Sequence, residues 1–235
     1  MMSVIRYAVY FAPAQGSGLE RVCSAVLGRC ARTGQTLKQP NLPGMEPERL
    51  AELTAAPRRY GLHGTLKPPF FLAEGTTEAG LTDAVAILAA GERAFDLPPL
   101  RLEAIGSFLA LTPQFPCQEL NTLARACVTK LDQFRREPSP EELARRRARG
   151  LNAEQDRLLM QWGYPFVLQE FRFHLTLTGS ITGPAERQRV RAALVPLLSP
   201  VLGRPVPFRE ICIFRQPDRE APFTLLRSLR LRNTA

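Results

Sequence analysis

The chain alternates between short strand-like segments and longer segments with helical spacing. Strand-like runs, rich in β-branched, aromatic and other apolar residues, lie at 4–11, 60–71, 100–111, 166–178, 206–214 and 223–231. Apolar residues recur at helical spacing from Ser17 to a stop at Gly34, and again at 77–90, 120–134 and 184–198. The proline-containing segment 35–58 is expected to be mainly loop, with one short helix. This mixture predicts an α+β fold of antiparallel sheets and helices.

The pattern also repeats between the two halves of the chain. Each half has a strand that contains a histidine, then a helix about ten residues later, then further strands. The repetition predicts a single domain over 1–235, with two lobes related by an approximate twofold axis around a central cleft.

One segment, 137–163, has no counterpart in the other half and is predicted to be a helical insertion. Two capping boxes, Ser139 with Glu142 and Asn152 with Gln155, mark the starts of two successive helices. The first helix carries a run of arginines at 145, 146, 147 and 149. We expect a solvated helix face, with contact to substrate or RNA as the open alternative.

The two histidines of the chain begin the same four-residue motif, His-x-Thr-Leu. The motif reads HGTL at 63–66 and HLTL at 174–177. One copy would be weak evidence, but two copies on matching strands use every histidine of the protein. The motifs are therefore the strongest candidates for the chemistry.

Strand geometry predicts which side chains accompany each histidine. Residues two apart on a strand point to the same face, so His63 should share a face with Thr65 and Lys67. By the same rule His174 should share a face with Arg172 and Thr176. Tyr60 has the opposite parity to His63 and needs a bulge or loop to reach the same cleft.

Such a cleft suits phosphodiester cleavage. One imidazole can remove a proton from the attacking oxygen while the other protonates the leaving oxygen, and the residues do not decide which does which. Thr65 and Thr176 can donate hydrogen bonds to the phosphate oxygens. Lys67 and Arg172 can add positive charge, and Tyr60 is a further candidate for substrate binding.

Composition limits the remaining possibilities. The 31 Lys and Arg residues against 22 Asp and Glu give a net charge of +9, which favours anionic partners, including RNA. The chain has five cysteines, an odd number, and no CxxC pair. We therefore expect neither a disulfide framework nor a metal site. We predict no cofactor and no membrane span, and a cytoplasmic location.

The two motifs resemble those of the two-histidine phosphoesterase superfamily, whose hallmark is one His-x-Thr/Ser motif in each lobe of a bilobal α+β fold. The segments YGLHGTLKPPF at 60–70, WGYPFV at 162–167 and FRFHLTLTG at 171–179 are similar to a branch encoded in bacterial phosphonate-utilisation operons. The resemblance implies catalysis by His63, Thr65, His174 and Thr176 without a metal. It also implies a role in phosphonate breakdown, where a cyclic phosphate on ribose must be opened.

Three functions remain open at this point. The first is an enzyme that opens the cyclic phosphate of a small phosphorylated sugar or nucleotide. The second is an RNA 2′,3′-cyclic phosphodiesterase or 2′-5′ RNA ligase-like enzyme. The third is a non-catalytic protein that binds RNA or nucleotides. A closed small pocket would favour the first, and a continuous basic path the second.

Overall fold

The computed structural model describes residues 5–148 and 150–233 and has an α+β architecture, as expected. Its strands are β1 (Arg6–Phe11), β2 (Gly64–Phe71), β3 (Phe95–Leu97), β4 (Leu100–Ile105), β5 (Phe108–Pro113), β6 (Leu175–Thr176), β7 (Val206–Phe208), β8 (Glu210–Gln216) and β9 (Thr224–Arg230). Its helices are α1 (Gly18–Leu27), α2 (Pro47–Arg58), α3 (Glu78–Gly91), α4 (Gln118–Lys130), α5 (Pro140–Arg147), α6 (Ala153–Trp162) and α7 (Pro184–Leu198).

Seven strands form one antiparallel sheet in the order β4-β5-β6-β2-β1-β8-β9, and β3 pairs with β7 in a separate ribbon. The two strands that carry the motifs, β2 and β6, are neighbours near the middle of the large sheet. β1 is buried on both faces, with Val9 and Phe11 in the main core and Ala8 and Tyr10 in a second apolar cluster. This burial explains the continuous apolar run in its sequence.

The spatial halves of the sheet differ from the halves of the sequence. The hairpin β4–β5 follows the first motif along the chain, yet β5 pairs with β6 of the second motif. The hairpin β8–β9 follows the second motif, yet β8 pairs with β1 beside the first. Each hairpin therefore joins the side of the sheet that holds the other motif, and the two sides meet at β2 and β6 in a single sheet.

Several element boundaries differ from the sequence prediction. α1 ends at Gly28, which adopts a left-handed conformation and donates its N–H to the preceding turn, so the predicted stop at Gly34 is wrong. The 35–58 segment contains the 12-residue helix α2, longer than expected. In the predicted strand 166–178 only Leu175 and Thr176 are in a ladder, and residues 168–170 form a 3-10 turn.

The segment 137–163 forms the predicted helical hairpin. Both capping boxes are present, at Ser139 before α5 and at Asn152 before α6. α6 buries Leu158 in a small cluster with Val128 and Val167, whereas α5 has no buried residue. The hairpin is thus anchored in the core through α6. Among the described residues, no helix combines the length and the apolarity needed to cross a bilayer.

Candidate active site

The two motifs meet at one residue pair. Gly64 of β2 lies opposite Leu175 of β6 in an antiparallel ladder, and these are the middle residues of the two His-x-Thr motifs. On either side of this pair lie His63 and Thr65 in one motif and His174 and Thr176 in the other. His63, Thr65 and Thr176 line one cleft, and His174 lies near enough to His63 to influence its charge.

Each histidine is held by its own backbone in the same way. Nδ1 of His63 lies 2.9 Å from the carbonyl oxygen of Gly61, and Nδ1 of His174 lies 2.7 Å from that of Arg172. A carbonyl only accepts, so each Nδ1 carries the proton and donates it. In each neutral ring Nε2 is then the unprotonated nitrogen, free for proton transfer.

Burial makes both imidazoles weaker bases than a free histidine. It lowers the pKa of His63 to about 4, and the bond to Gly61 only partly opposes this effect while His174 adds to it. Burial also lowers the pKa of His174, although its bond to Arg172 opposes the change. Both rings are therefore neutral at pH 7 in the free protein.

A cleft of about 730 Å³ opens beside the two motifs. His63, Thr65 and Thr176 line it, and His174 packs against the lining residue Phe108 with ring centroids 5.7 Å apart. Three further aromatic residues and five arginines share the wall. They are Tyr10, Tyr60, Tyr164, Arg6, Arg59, Arg145, Arg146 and Arg219.

Tyr60 reaches the cleft through a loop, as its parity required. Gly61 has a φ of +71°, which breaks the extended chain before β2 begins and turns Tyr60 toward His63. The two rings stack with centroids 5.8 Å apart, and Tyr10 lies on His63 at 4.0 Å. A β-carbon at position 61 would lie 2.3 Å from that of Ala31, so this loop accepts only glycine without rearrangement.

Lys67 lies outside the cleft, contrary to its predicted role. The β1–β2 register shifts between Thr65 and Lys67, so the alternation of faces is broken and Lys67 turns to the opposite side of the sheet. Its side chain is 2% exposed, and Nζ donates to the carbonyl of Val128 and to Asp132. Burial lowers its pKa to about 8, although Asp132 opposes this. Lys67 is thus a buried structural cation.

Arg172 also fails to join the lining of the cleft. The ladder of β6 does not extend back to Arg172, so strict alternation from His174 does not apply there. Its side chain is 59% exposed and contacts Glu103 at 3.5 Å. The contribution of Arg172 to the site is its backbone carbonyl, which fixes the ring of His174.

Sequence reasoning missed most of the arginines of the wall. Arg6 is the first residue of β1 and Arg219 follows β8, and neither belongs to a motif. Arg145 and Arg146 belong to the arginine run of α5, and both line the cleft. Arg147 of the same run instead pairs with Asp156 of α6. Arg149 lies outside the described residues.

No three His, Cys, Asp or Glu side chains in the described ranges lie close enough together to hold a metal ion. The polar groups of the cleft are instead imidazole, hydroxyl, phenol and guanidinium groups, apart from Gln216. Guanidinium and hydroxyl groups are hydrogen-bond donors suited to phosphate oxygens.

The two His-x-Thr motifs lie on neighbouring strands of one antiparallel sheet, beside a cleft with several guanidinium groups. A family model described as "Protein of unknown function (DUF1045)" matches residues 65–224, and the chain belongs to that family.

Two curated relatives carry the name "Ribose 1,5-bisphosphate phosphokinase PhnN". The protein of Janthinobacterium sp. (strain Marseille) is 41% identical over 179 residues, which is 76% of this chain and 40% of the relative. That of Laribacter hongkongensis (strain HLHK9) is 34% identical over 227 residues, 95% of this chain and 51% of the relative. The chain thus spans about half or less of the length of these relatives.

Among solved structures, the chain is similar to E. coli LigT complexed with NADP+, at 15% identity and a TM-score of 0.45, covering 97% of this chain and 98% of that one. It is also similar to E. coli LigT complexed with 3'-AMP, at 12% identity and a TM-score of 0.44, covering 96% and 97% of the two chains.

Proposed function

We propose that the protein is a phosphodiesterase that opens a cyclic phosphate on a small phosphorylated sugar or nucleotide, without a metal, by acid–base catalysis with two histidines. The observation that carries the proposal is the pairing of Gly64 with Leu175, because it joins the two motifs on one face of the sheet. A phosphodiester placed there would have an imidazole on each side.

In this mechanism a water molecule attacks phosphorus in line with the leaving ribose oxygen. We assign the base to His63, because burial lowers its pKa to about 4 and keeps Nε2 able to accept a proton down to acidic pH. As the new O–P bond forms, His63 takes the proton of the water.

His174 is then the acid that protonates the leaving oxygen as its bond to phosphorus breaks. It must enter the reaction charged, although burial lowers its pKa in the free protein. An anionic phosphate bound beside it would stabilise the imidazolium and raise that pKa. The products are a phosphomonoester and a free hydroxyl, and proton exchange with water restores both rings.

Thr65 and Thr176 are assigned to the non-bridging phosphate oxygens. Both threonines line the cleft together with His63, which supports this assignment. Negative charge grows on these oxygens in the transition state, so donors aimed at them lower the barrier.

The size of the cleft supports a small metabolite as the substrate more than RNA. The cleft has a volume of about 730 Å³, which is typical of a small-molecule site. The curated relatives are named for an enzyme of ribose 1,5-bisphosphate, which supports a phosphorylated ribose as the substrate class. A role in phosphonate breakdown, implied by the sequence resemblance, is compatible with such a substrate.

The test is turnover in excess EDTA of three substrates: ribose 1,2-cyclic phosphate 5-phosphate, a nucleoside 2′,3′-cyclic phosphate and a 2′,5′-linked dinucleotide. His63→Gln and His174→Gln are measured beside the wild type. We expect turnover of a cyclic phosphate in EDTA and a fall of about 10³-fold in kcat for each variant. Circular dichroism and thermal melting establish that the variants are folded.

Each alternative has its own result. Preference for the 2′,5′-linked dinucleotide would favour the RNA-directed enzyme. Tight nucleotide binding without turnover, unchanged in both glutamine variants, would favour the non-catalytic binding protein. Activity that vanishes in EDTA and returns with a divalent ion would overturn the metal-free mechanism.

A further inference from the structure

The charged residues that line the cleft are of one kind. Five arginines contribute to the wall, and among the described lining residues none is an aspartate or glutamate. The arginines come from four separate parts of the chain: β1, the end of α2, helix α5 and the turn between β8 and β9. A cleft lined by charges of one sign raises the local concentration of ligands of the opposite sign, here anions.

Two of the five arginines keep their charge uncompensated by any carboxylate in the described ranges. Arg6 donates from Nε to Gln216 at 2.7 Å and lies over the ring of Phe223 at 5.5 Å, so an amide and an aromatic face hold it. Gln216 is itself 2% exposed and fixed by the carbonyl of Ala221. Arg145 is exposed on α5 and has no ion pair within 4.0 Å.

The other three arginines are tied to the rim. Arg59 donates to the backbone carbonyl of Arg219 and lies 3.9 Å from the exposed Glu220. Arg219 reaches Glu142 of α5 at 3.7 Å, which connects the β8–β9 turn to the helical hairpin. The guanidinium of Arg146 lies 5.0 Å from the ring centre of Tyr164. These contacts hold the three guanidinium groups beside the cleft.

One phosphodiester cannot account for this charge. A cyclic phosphodiester carries a single negative charge, and the histidines and threonines of the motifs already provide its donors. Both imidazoles are neutral in the free protein, because burial lowers their pKa, so the positive charge of the cleft belongs to the arginines. A dianionic phosphomonoester is a group that several guanidinium groups bind well.

We propose that the wall formed by Arg6, Arg59, Arg145, Arg146 and Arg219 is a subsite for a second phosphate, so that the preferred substrate carries a terminal phosphomonoester in addition to its cyclic phosphate. The inference rests on the proposed function for the reaction, but the subsite itself is a binding property. In this proposal helix α5, through Arg145 and Arg146, makes the protein prefer substrates that carry the second phosphate.

The test compares adenosine 2′,3′-cyclic phosphate with the same compound phosphorylated at the 5′-oxygen. We expect kcat/KM to favour the 5′-phosphorylated substrate by about 30-fold or more, because charge-assisted hydrogen bonds to a phosphomonoester are strong. In the variant R145A/R146A the ratio of the two kcat/KM values should fall toward one. Arg157→Ala is the matched control, since Arg157 lies on α6 of the same hairpin, pairs with Glu154 and does not line the cleft.

Calorimetry separates failure of the subsite from failure of the proposed reaction. The ligands are adenosine 3′-phosphate and adenosine 3′,5′-bisphosphate. If neither cyclic phosphate is turned over, tighter binding of the bisphosphate that R145A/R146A abolishes supports the subsite alone. Equal kcat/KM for the two substrates, equal affinity for the two ligands, or an equal loss on both substrates in R145A/R146A would overturn the subsite.

Discussion

Gly64 and Leu175 lie directly opposite each other across the antiparallel strands β2 and β6, and this one pair brings the two motifs together. Leu175 is fully buried, and a β-carbon on Gly64 would lie 2.3 Å from the ring of Phe173. The middle residue of each motif therefore packs toward the core, while the histidine and threonine on either side face the cleft. The two motifs are thus arranged alike about the pair, each with its histidine before and its threonine after the middle residue.

This symmetry predicts equal roles for the two threonines. Thr65→Val and Thr176→Val each remove one donor to the phosphate, and we expect each to lower kcat by roughly 10- to 100-fold with a folded protein. Steady-state kinetics on the preferred cyclic phosphate measures this. Thr129→Val is the control, because the Thr129 hydroxyl bonds only within α4, to the carbonyl of Arg125. A loss confined to one threonine would show that the symmetry does not extend to function.

The lowered histidine pKa values predict an acidic optimum for kcat/KM. The base, His63, stays unprotonated down to about pH 4, which sets the acidic limb. The acid, His174, has a pKa below the ordinary 6.5 and loses its proton earlier as the pH rises, which sets the alkaline limb. We expect a maximum below pH 6.5, measured from pH 4 to 9. A maximum above pH 7.5 would contradict the assignment of these groups.

The loop that carries Tyr60 and His63 depends on Gly61. In Gly61→Ala the positive φ costs about 1–2 kcal/mol, and overlap with Ala31 adds a comparable or larger amount. We expect a clear loss of stability in chemical denaturation, and a lower kcat because the carbonyl of Gly61 holds His63.

Two further variants isolate the contact with Ala31. Gly75→Ala has a similar φ of +77° but open space around its β-carbon, so it should cost only the conformational part. Adding Ala31→Gly to Gly61→Ala removes the overlapping methyl group and should restore part of the stability. No difference between Gly61→Ala and Gly75→Ala would refute the close approach.

The placement of Lys67 predicts an effect on stability and not on substrate binding. Lys67→Met keeps the aliphatic stem, and Asp132 keeps its two bonds to Arg135. We expect KM for a cyclic phosphate to stay within about twofold of the wild type. A KM raised tenfold or more would show that Lys67 contributes to substrate binding.

The same variant has a distinctive pH dependence. Lys67 has a folded pKa of about 8, below its ordinary value of 10.5, so between these values the unfolded chain binds more protons. The wild type should therefore gain stability relative to Lys67→Met as the pH rises from 8 to 10. Denaturation at pH 7.5, 9 and 10 measures the difference, and a constant gap would show that the pKa of Lys67 is not lowered in the folded protein.

Local sequence patterns alone determined the fold class and the starts of two helices. The capping boxes at Ser139 and Asn152 fixed the two helices of the hairpin, because a cap depends only on residues three positions apart. The α+β class followed from the order of elements, and the repeated His-x-Thr motif pointed to a region where His63, Thr65 and Thr176 line one cleft.

Tertiary structure decided which side chains line the cleft and which lie outside it. The register shift after Thr65 reversed the face of Lys67, and the short ladder of β6 left Arg172 outside the cleft, since alternation holds only while a strand is regular. The exchange of hairpins between the halves and the arginine wall depend on contacts between segments far apart in sequence. No spacing rule relates Arg6 to Arg145 or Arg219, so only the folded chain could bring their charges to one cleft.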